Sequence, residues 1–249
     1  MFILLDNSSA TTEGVSLLFE NPVDQIKAVS PADIPDALDE IESYRKKGYY
    51  LSGSISYEAG YGILNVQDSK ARVVTRPYVH FYVFKNVKRM SSKEVDSFLK
   101  EMGAKDIATP IYNFSLGDTF QRFDSQISEI KESLKSGNTY QVNYTMPAHF
   151  SFQGDSISLY RNLRKKQKVK YGAYVSSETE RVLSFSPELF LKKTGDRLVS
   201  KPMKGTASRH QNKEKDESVI RALKSDLKIK SENIMIVDLI RNDMAKIGK

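Results

Sequence analysis

The sequence predicts an α+β fold. Helix-period and strand-period segments both occur, and they follow one another without the regular strand–helix–strand alternation of a doubly wound sheet. A tight turn signal, Thr194-Gly195-Asp196 between two strand-like runs, marks antiparallel pairing.

In chain order, MFILLDNSSA opens with a short apolar patch that lacks the basic flank and apolar length of a secretory signal. Residues 1–90 mix strand-like runs such as 79-VHFYVF-84 with a helix over Ile34–Lys47 that stops at Gly48. The stretch 49-YYLSGSISYEAGYGIL-64 reads as a strand followed by a tight bend. Residues 91–118 read as a short helix and then a polar linker. In 122-RFDSQISEIKESLKSG-137, Phe123, Ile127, Ile130 and Leu134 fall on one helix face, and Gly137 closes the helix. The next run, 139-TYQVNYTMPAHF-150, alternates as a strand, with Tyr140, Val142 and Tyr144 on one face and Gln141, Asn143 and Thr145 on the other. Strands follow at 171-YGAYVSSE-178 and 181-RVLSFS-186, then a hairpin over 188–204. The remainder reads as helices over 213–226 and 231–246, the second with Ser231 as N-cap; its core, IMIVDLI, also suits a buried strand.

The 249 residues suffice for a sizeable core, and 39% hydrophobic with 28% charged residues is an ordinary globular composition. The absence of cysteine excludes disulfides and thiolate metal sites and fits a cytoplasmic chain. No apolar run is long enough to span a membrane. The net charge of +7 is densest in 161-RNLRKKQKVK-170, read as a solvated helix face. Without interleaved aromatics or a recognition motif it makes no case for nucleic acid, although net positive charge favours an anionic small substrate.

The hairpin draws attention to 201-KPMKGTASRH-210. With its turn near Gly195-Asp196, Glu188 and Lys204 lie about equally far from the tip and would stand on one face of the ribbon. A carboxyl facing an amine serves either as a salt bridge or as an acid beside a nucleophile. A nucleophilic lysine must be neutral, and its small or apolar neighbours Pro202, Met203, Gly205 and Thr206 permit that. Pro202 limits how far the pairing runs.

Four motifs in order, 137-GNTYQVNYT-145, 184-SFSPELF-190, 202-PMKGTASR-209 and 231-SENIMIVDLIRND-243, resemble those of the chorismate-binding enzymes, and the resemblance covers essentially the whole chain. It implies an anthranilate synthase component I-like fold, two antiparallel sheets packed as a sandwich flanked by helices. It further implies one chorismate-binding domain over 1–249, with 1–118 the N-terminal sheet part and 119–249 the first part of the catalytic core. Members that add water to chorismate carry a lysine where this chain has Gln141. Anthranilate synthases carry alanine where it has Lys204, and aminodeoxychorismate synthases carry lysine there. The segment 53-GSISYEAGYG-62 also looks like the aminodeoxychorismate synthases. By this resemblance Lys204 is the nucleophile and Glu188 the general acid, Gln141, Asn143, Gly205 and Thr206 bind substrate, and Glu232 ligates Mg²⁺. The implied substrates are chorismate and ammonia, the latter from a glutaminase subunit. Anthranilate synthesis, or a non-catalytic chain that docks the glutaminase, stands as the alternative. The nearest counterpart of the family's tryptophan-binding LLES is 17-LLFEN-21, which lacks the serine and the spacing. Family members continue past the R-N-D motif into further substrate and Mg²⁺ ligands, whereas this sequence ends at 246-KIGK-249. The fold is therefore expected to be incomplete at the C-terminus, and residues 1–249 alone to be inactive or nearly so.

Overall fold

The computed structural model describes residues 1–9, 14–64, 76–178 and 180–247. In chain order its elements are β1 (Phe2–Asp6), β2 (Ser16–Glu20), β3 (Asp24–Ala28), α1 (Ile34–Lys46), β4 (Tyr50–Ile55), α2 (Ala59–Ile63), β5 (Val79–Phe84), β6 (Lys88–Met90), α3 (Ser92–Glu101), β7 (Ile111–Leu116), α4 (Phe120–Lys135), β8 (Ala148–Phe152), α5 (Ser156–Lys166), β9 (Tyr171–Ser176), β10 (Arg181–Ser186), β11 (Leu189–Thr194), β12 (Arg197–Lys201), α6 (Lys213–Ser225) and α7 (Leu227–Ala245). Among the described residues every strand pairing is antiparallel, in keeping with the α+β class. The chain forms two compact units, Met1–Ile107 with Asp155–Pro187, and Ala108–Gly154 with Glu188–Lys249. They interleave along the sequence and do not follow a cut at residue 118.

The first unit is a sandwich. Its larger sheet has the order β10-β9-β1-β2-β6 and its smaller one β3-β5-β4. The apolar N-terminal patch becomes β1, the central strand of the larger sheet, covered on both faces. Phe2 and Leu4 point to the α3 and α5 side with Leu18, Phe98, Leu99 and Tyr160, while Ile3 points to the other sheet with Phe19, Tyr82 and Phe84. Strand β5 splits by parity in the same way. Tyr82 and Phe84 face the larger sheet, and Val79 and Val83 pack with Ile26, Ile34 and Ala59 toward α1 and α2. The order is helix, sheet, sheet, helix, as the sequence resemblance implies.

The basic cluster on α5 departs from its expected role as a solvated face. Arg161 and Arg164 are buried. Arg161 donates from Nε to Asp96 Oδ1 at 2.7 Å and from Nη1 to Asp106 Oδ1 at 2.5 Å. Arg164 donates from Nε to Asp6 Oδ2 at 2.6 Å and from Nη2 to Ser92 Oγ at 2.9 Å. These partners lie far away in sequence, so local charge density could not announce them. Tyr160 joins the second group, donating to Asp6 Oδ2 at 3.0 Å. Its burial, then the Asp6 carboxylate, hold its hydroxyl far above the ordinary phenol range.

The hydrogen bond from Arg161 pulls the Asp96 carboxyl down to about 2 from 3.8. The folded carboxyl binds its proton more weakly than the unfolded one. Its contribution to stability is therefore complete above about pH 4 and is lost as pH falls toward about 2. Asp96→Asn should accordingly lose less stability than the parent when urea unfolding at about pH 5 is compared with unfolding near the folded pKa. An equal loss in both proteins would show that Asp96 takes no part in acid unfolding.

The second unit holds the β7–β8 pair, the β11–β12 hairpin, α4, α6 and α7. Helix α4 matches its sequence pattern, with Thr119 Oγ1 accepting from Arg122 N at 3.3 Å and Gly137 at φ +72° beyond its end. Three expectations need correction. The polar linker before α4 contains β7, which pairs with β8. The strand expected over 139–150 exists only from Ala148, and residues 139–147 have no regular structure. Helix α7 begins at Leu227, capped by Asp226, whose carboxylate accepts from Ile229 N at 2.9 Å. Ser231 lies inside α7 and donates to Leu227 O at 2.8 Å, and IMIVDLI is helical within a 19-residue element too long for a strand.

Candidate active site

All the sequence-selected site residues lie in the second unit. The hairpin turns where expected. Thr194 pairs with Arg197, leaving Gly195-Asp196 as a two-residue loop, and Gly195 takes φ +57°, as a type II′ turn requires at its first position. The register then shifts between Leu189 and Lys192, and Leu189 pairs with Lys201. Continued in the register of Thr194 and Arg197, Glu188 would face Met203, and the shift carries it one further, to Pro202, so it does not stand opposite Lys204. Pairing ends there, where Pro202 offers no N–H.

The acid and the lysine are nevertheless neighbours through the backbone. Met203 N donates to Glu188 Oε1 at 2.9 Å, which ties the carboxyl group to the residue before Lys204. Lys204 is partly buried, and its Nζ donates to Asn143 Oδ1 at 3.3 Å. No ion pair among the described residues involves Lys204. Gly205 takes φ +75°, and a Cβ there would lie 2.5 Å from Ile229 Cγ2 on α7, so the lysine loop rests on that helix at a point only glycine fits. Thr206 follows, exposed.

Two anchors that the sequence pattern did not reveal hold the pieces. Tyr144 donates from its hydroxyl to Asp118 Oδ2 at 2.6 Å, with the Gln126 side chain also 2.6 Å away, and its ring meets Phe123 edge-on at 5.4 Å centre to centre. This fixes residues 139–147 to α4 without strand pairing, and the hydrogen bond to Asp118 raises the Tyr144 hydroxyl above its ordinary range. Arg209, at the end of the PMKGTASR motif, grips Asp216 of α6 with Nη2 at 2.7 Å and Nε at 2.8 Å, and His210 N donates to the same carboxylate at 3.0 Å. The Arg209 hydrogen bond, then that of His210, hold Asp216 at about 2. Only the position of Arg209 within the motif hinted at this clamp.

Gln141 and Asn143 line an open cavity of about 600 Å³, whose other wall is α7 with Met235, Asp238, Leu239 and Asn242. Glu232 stands one helical turn after Ile229, and Lys228 Nζ lies 3.9 Å from its carboxylate. Among the described residues no group of three or more His, Asp or Glu side chains is placed to hold a metal ion. The described residues thus unite Glu188, Lys204 and Asn143 around one loop, with Gln141 in the adjoining cavity and Glu232 on the supporting helix.

The family model of chorismate binding enzymes matches residues 2–249. The chain belongs to this family. It is 30% identical over 130 residues to aminodeoxychorismate synthase component 1 of Escherichia coli, covering 52% of this chain and 29% of that protein. It is 27% identical over 250 residues to anthranilate synthase component 1 of Saccharolobus solfataricus, covering 95% of this chain and 56% of that one. The crystal structure of anthranilate synthase component I from Streptococcus pneumoniae superposes with a TM-score of 0.75 at 18% identity, over 96% of this chain and 63% of that one. The likeness shows the fold, and the chain spans less than two thirds of each of these relatives. No helix among the described residues is long and apolar enough to cross a membrane.

Proposed function

We propose that this chain carries the nucleophile and acid of an aminodeoxychorismate synthase component I, which replaces the C4 hydroxyl of chorismate with an amino group. One observation carries the reading. The lysine of P-M-K-G-T is held by an uncharged carbonyl oxygen, while the nearby carboxyl group is tied to the backbone beside it. A neutral Lys204 amine attacks ring carbon C2. The N–C2 bond forms, the two ring double bonds shift, and the C4–O bond breaks. Hydroxide is a poor leaving group, so Glu188 supplies a proton and water departs. The lysine nitrogen gives up one proton to the Glu188 carboxylate, which restores the acid. Ammonia then bonds at C4, the double bonds shift back, Glu188 protonates the lysine nitrogen as the N–C2 bond breaks, and the new C4 ammonium returns a proton to Glu188, which releases 4-amino-4-deoxychorismate and neutral Lys204. Splitting one difficult displacement into two easier ones is the benefit of a covalent amine.

Mg²⁺ keeps several waters and takes one or two protein carboxylates, so Glu232 suits it as a single protein ligand. When bound there it would neutralise negative charge on the substrate. The ammonia source is a glutaminase partner, a reading supported by relatives named as component 1 of their synthases.

The test is an assay of the full-length protein, with any residues encoded beyond Lys249, supplied with chorismate, an ammonium salt and Mg²⁺. The expected product is aminodeoxychorismate, converted to p-aminobenzoate by an added lyase. Fluorescent anthranilate in its place would favour the second reading, which the alignment with an anthranilate synthase over 95% of this chain keeps open.

A further inference from the structure

We infer that Asn143 is a positioning residue for Lys204, an uncharged tether that aims the amine without locking it as an ammonium ion. The inference rests on the proposed role of Lys204 as nucleophile. Asn143 Oδ1 accepts from Lys204 Nζ at 3.3 Å. A carboxylate at that distance would favour the charged, unreactive form of the lysine, whereas an amide oxygen gives direction with no net charge. Glu188, the proposed acid, accepts from Met203 N, so holding the amine and supplying the acid are divided between two residues.

Asn143 is itself held in place. Residues 139–147 lack strand pairing, but the adjacent Tyr144 is fixed by Asp118 and by the ring of Phe123. The lysine is fixed from the opposite direction by the close approach of Gly205 to Ile229. The two side chains therefore meet between two anchored segments, which distinguishes the contact from a chance meeting of exposed groups. The hairpin also carries Glu188, Lys192, Lys193, Asp196, Arg197 and Lys201, and α7 carries Lys228, Lys230, Glu232, Asp238, Arg241 and Asp243, of which Asp238 lines the same cavity as Asn143. They are the same in every variant below, so differences between variants read the new charge alone.

The experiment follows acylation of Lys204 by acetic anhydride as a function of pH, read by peptide mass spectrometry, because only the neutral amine reacts. Three proteins are compared: the parent chain, Asn143→Asp, and Thr145→Asp, which puts the same charge two residues away. Asn143→Asp is expected to move the acylation midpoint up by about one pH unit, and Thr145→Asp by much less. Both positions are exposed and outside regular structure, so neither variant should disturb folding. An unmoved midpoint in Asn143→Asp, or equal shifts in the two variants, would overturn the inference. No chorismate is needed. A shifted midpoint in a protein that never forms a chorismate adduct would leave the tether standing and remove only the catalytic reading.

Discussion

Arg164→Leu is expected to destabilise the protein by about 3–5 kcal/mol, the usual cost of removing one partner of a buried ion pair. For a chain of this size that corresponds to a fall in Tm on the order of 10 °C. The side chains of Arg164 and Asp6 are 9% and 1% exposed, so neither charge can turn to water. After the substitution Asp6 would keep only the hydroxyls of Tyr160 and Ser16, two neutral donors against a full buried charge. Asp6→Asn in the same background removes that charge while leaving an acceptor for Tyr160. The double variant should therefore be more stable than the sum of the single effects predicts by about 1–3 kcal/mol. Strict additivity in urea unfolding would show that the two groups do not act as a pair.

This ion pair also marks how far the sequence could be read. The basic run on α5 was visible, but its arginines find carboxylates 65 and 158 residues away, and no local pattern encodes such a partner. Strand β1 was seen only as an apolar patch. A strand covered on both faces loses the alternation that identifies a half-buried one. At 139–147 the alternation is real but pairs with no strand. There Tyr144 spends its hydroxyl on Asp118, and the segment stays unpaired. Helix α4 was legible because a single face carries its apolar residues and a glycine stops it. At the site, the turn of the hairpin followed from its residues, but the register, which sets Glu188 beside Pro202 and not opposite Lys204, did not. Register depends on hydrogen bonding along the ribbon, which turn residues alone do not determine.

Lys204→Ala is expected to abolish the covalent intermediate and to lower aminodeoxychorismate formation by about a thousandfold or more, as loss of a nucleophile does elsewhere. Lys204→Arg should not rescue it, because a guanidinium stays protonated. Residual turnover in the alanine variant should shift toward anthranilate, read by its fluorescence, since alanine is what anthranilate synthases resembling this chain carry there. The alanine variant should retain the fold. The loop is held by Gly205 against Ile229 and by the Arg209–Asp216 pair, neither of which uses the lysine side chain. Wild-type rates in the alanine variant would reduce Lys204 to a surface charge.

The most direct measurement is a peptide map of the full-length protein after incubation with chorismate in the absence of any ammonia source, so that the second displacement cannot occur. The account predicts that the peptide containing Lys204 gains the mass of chorismic acid less one water. An adduct on any other peptide, or product formation on later addition of ammonia with no adduct detectable at Lys204, would contradict it.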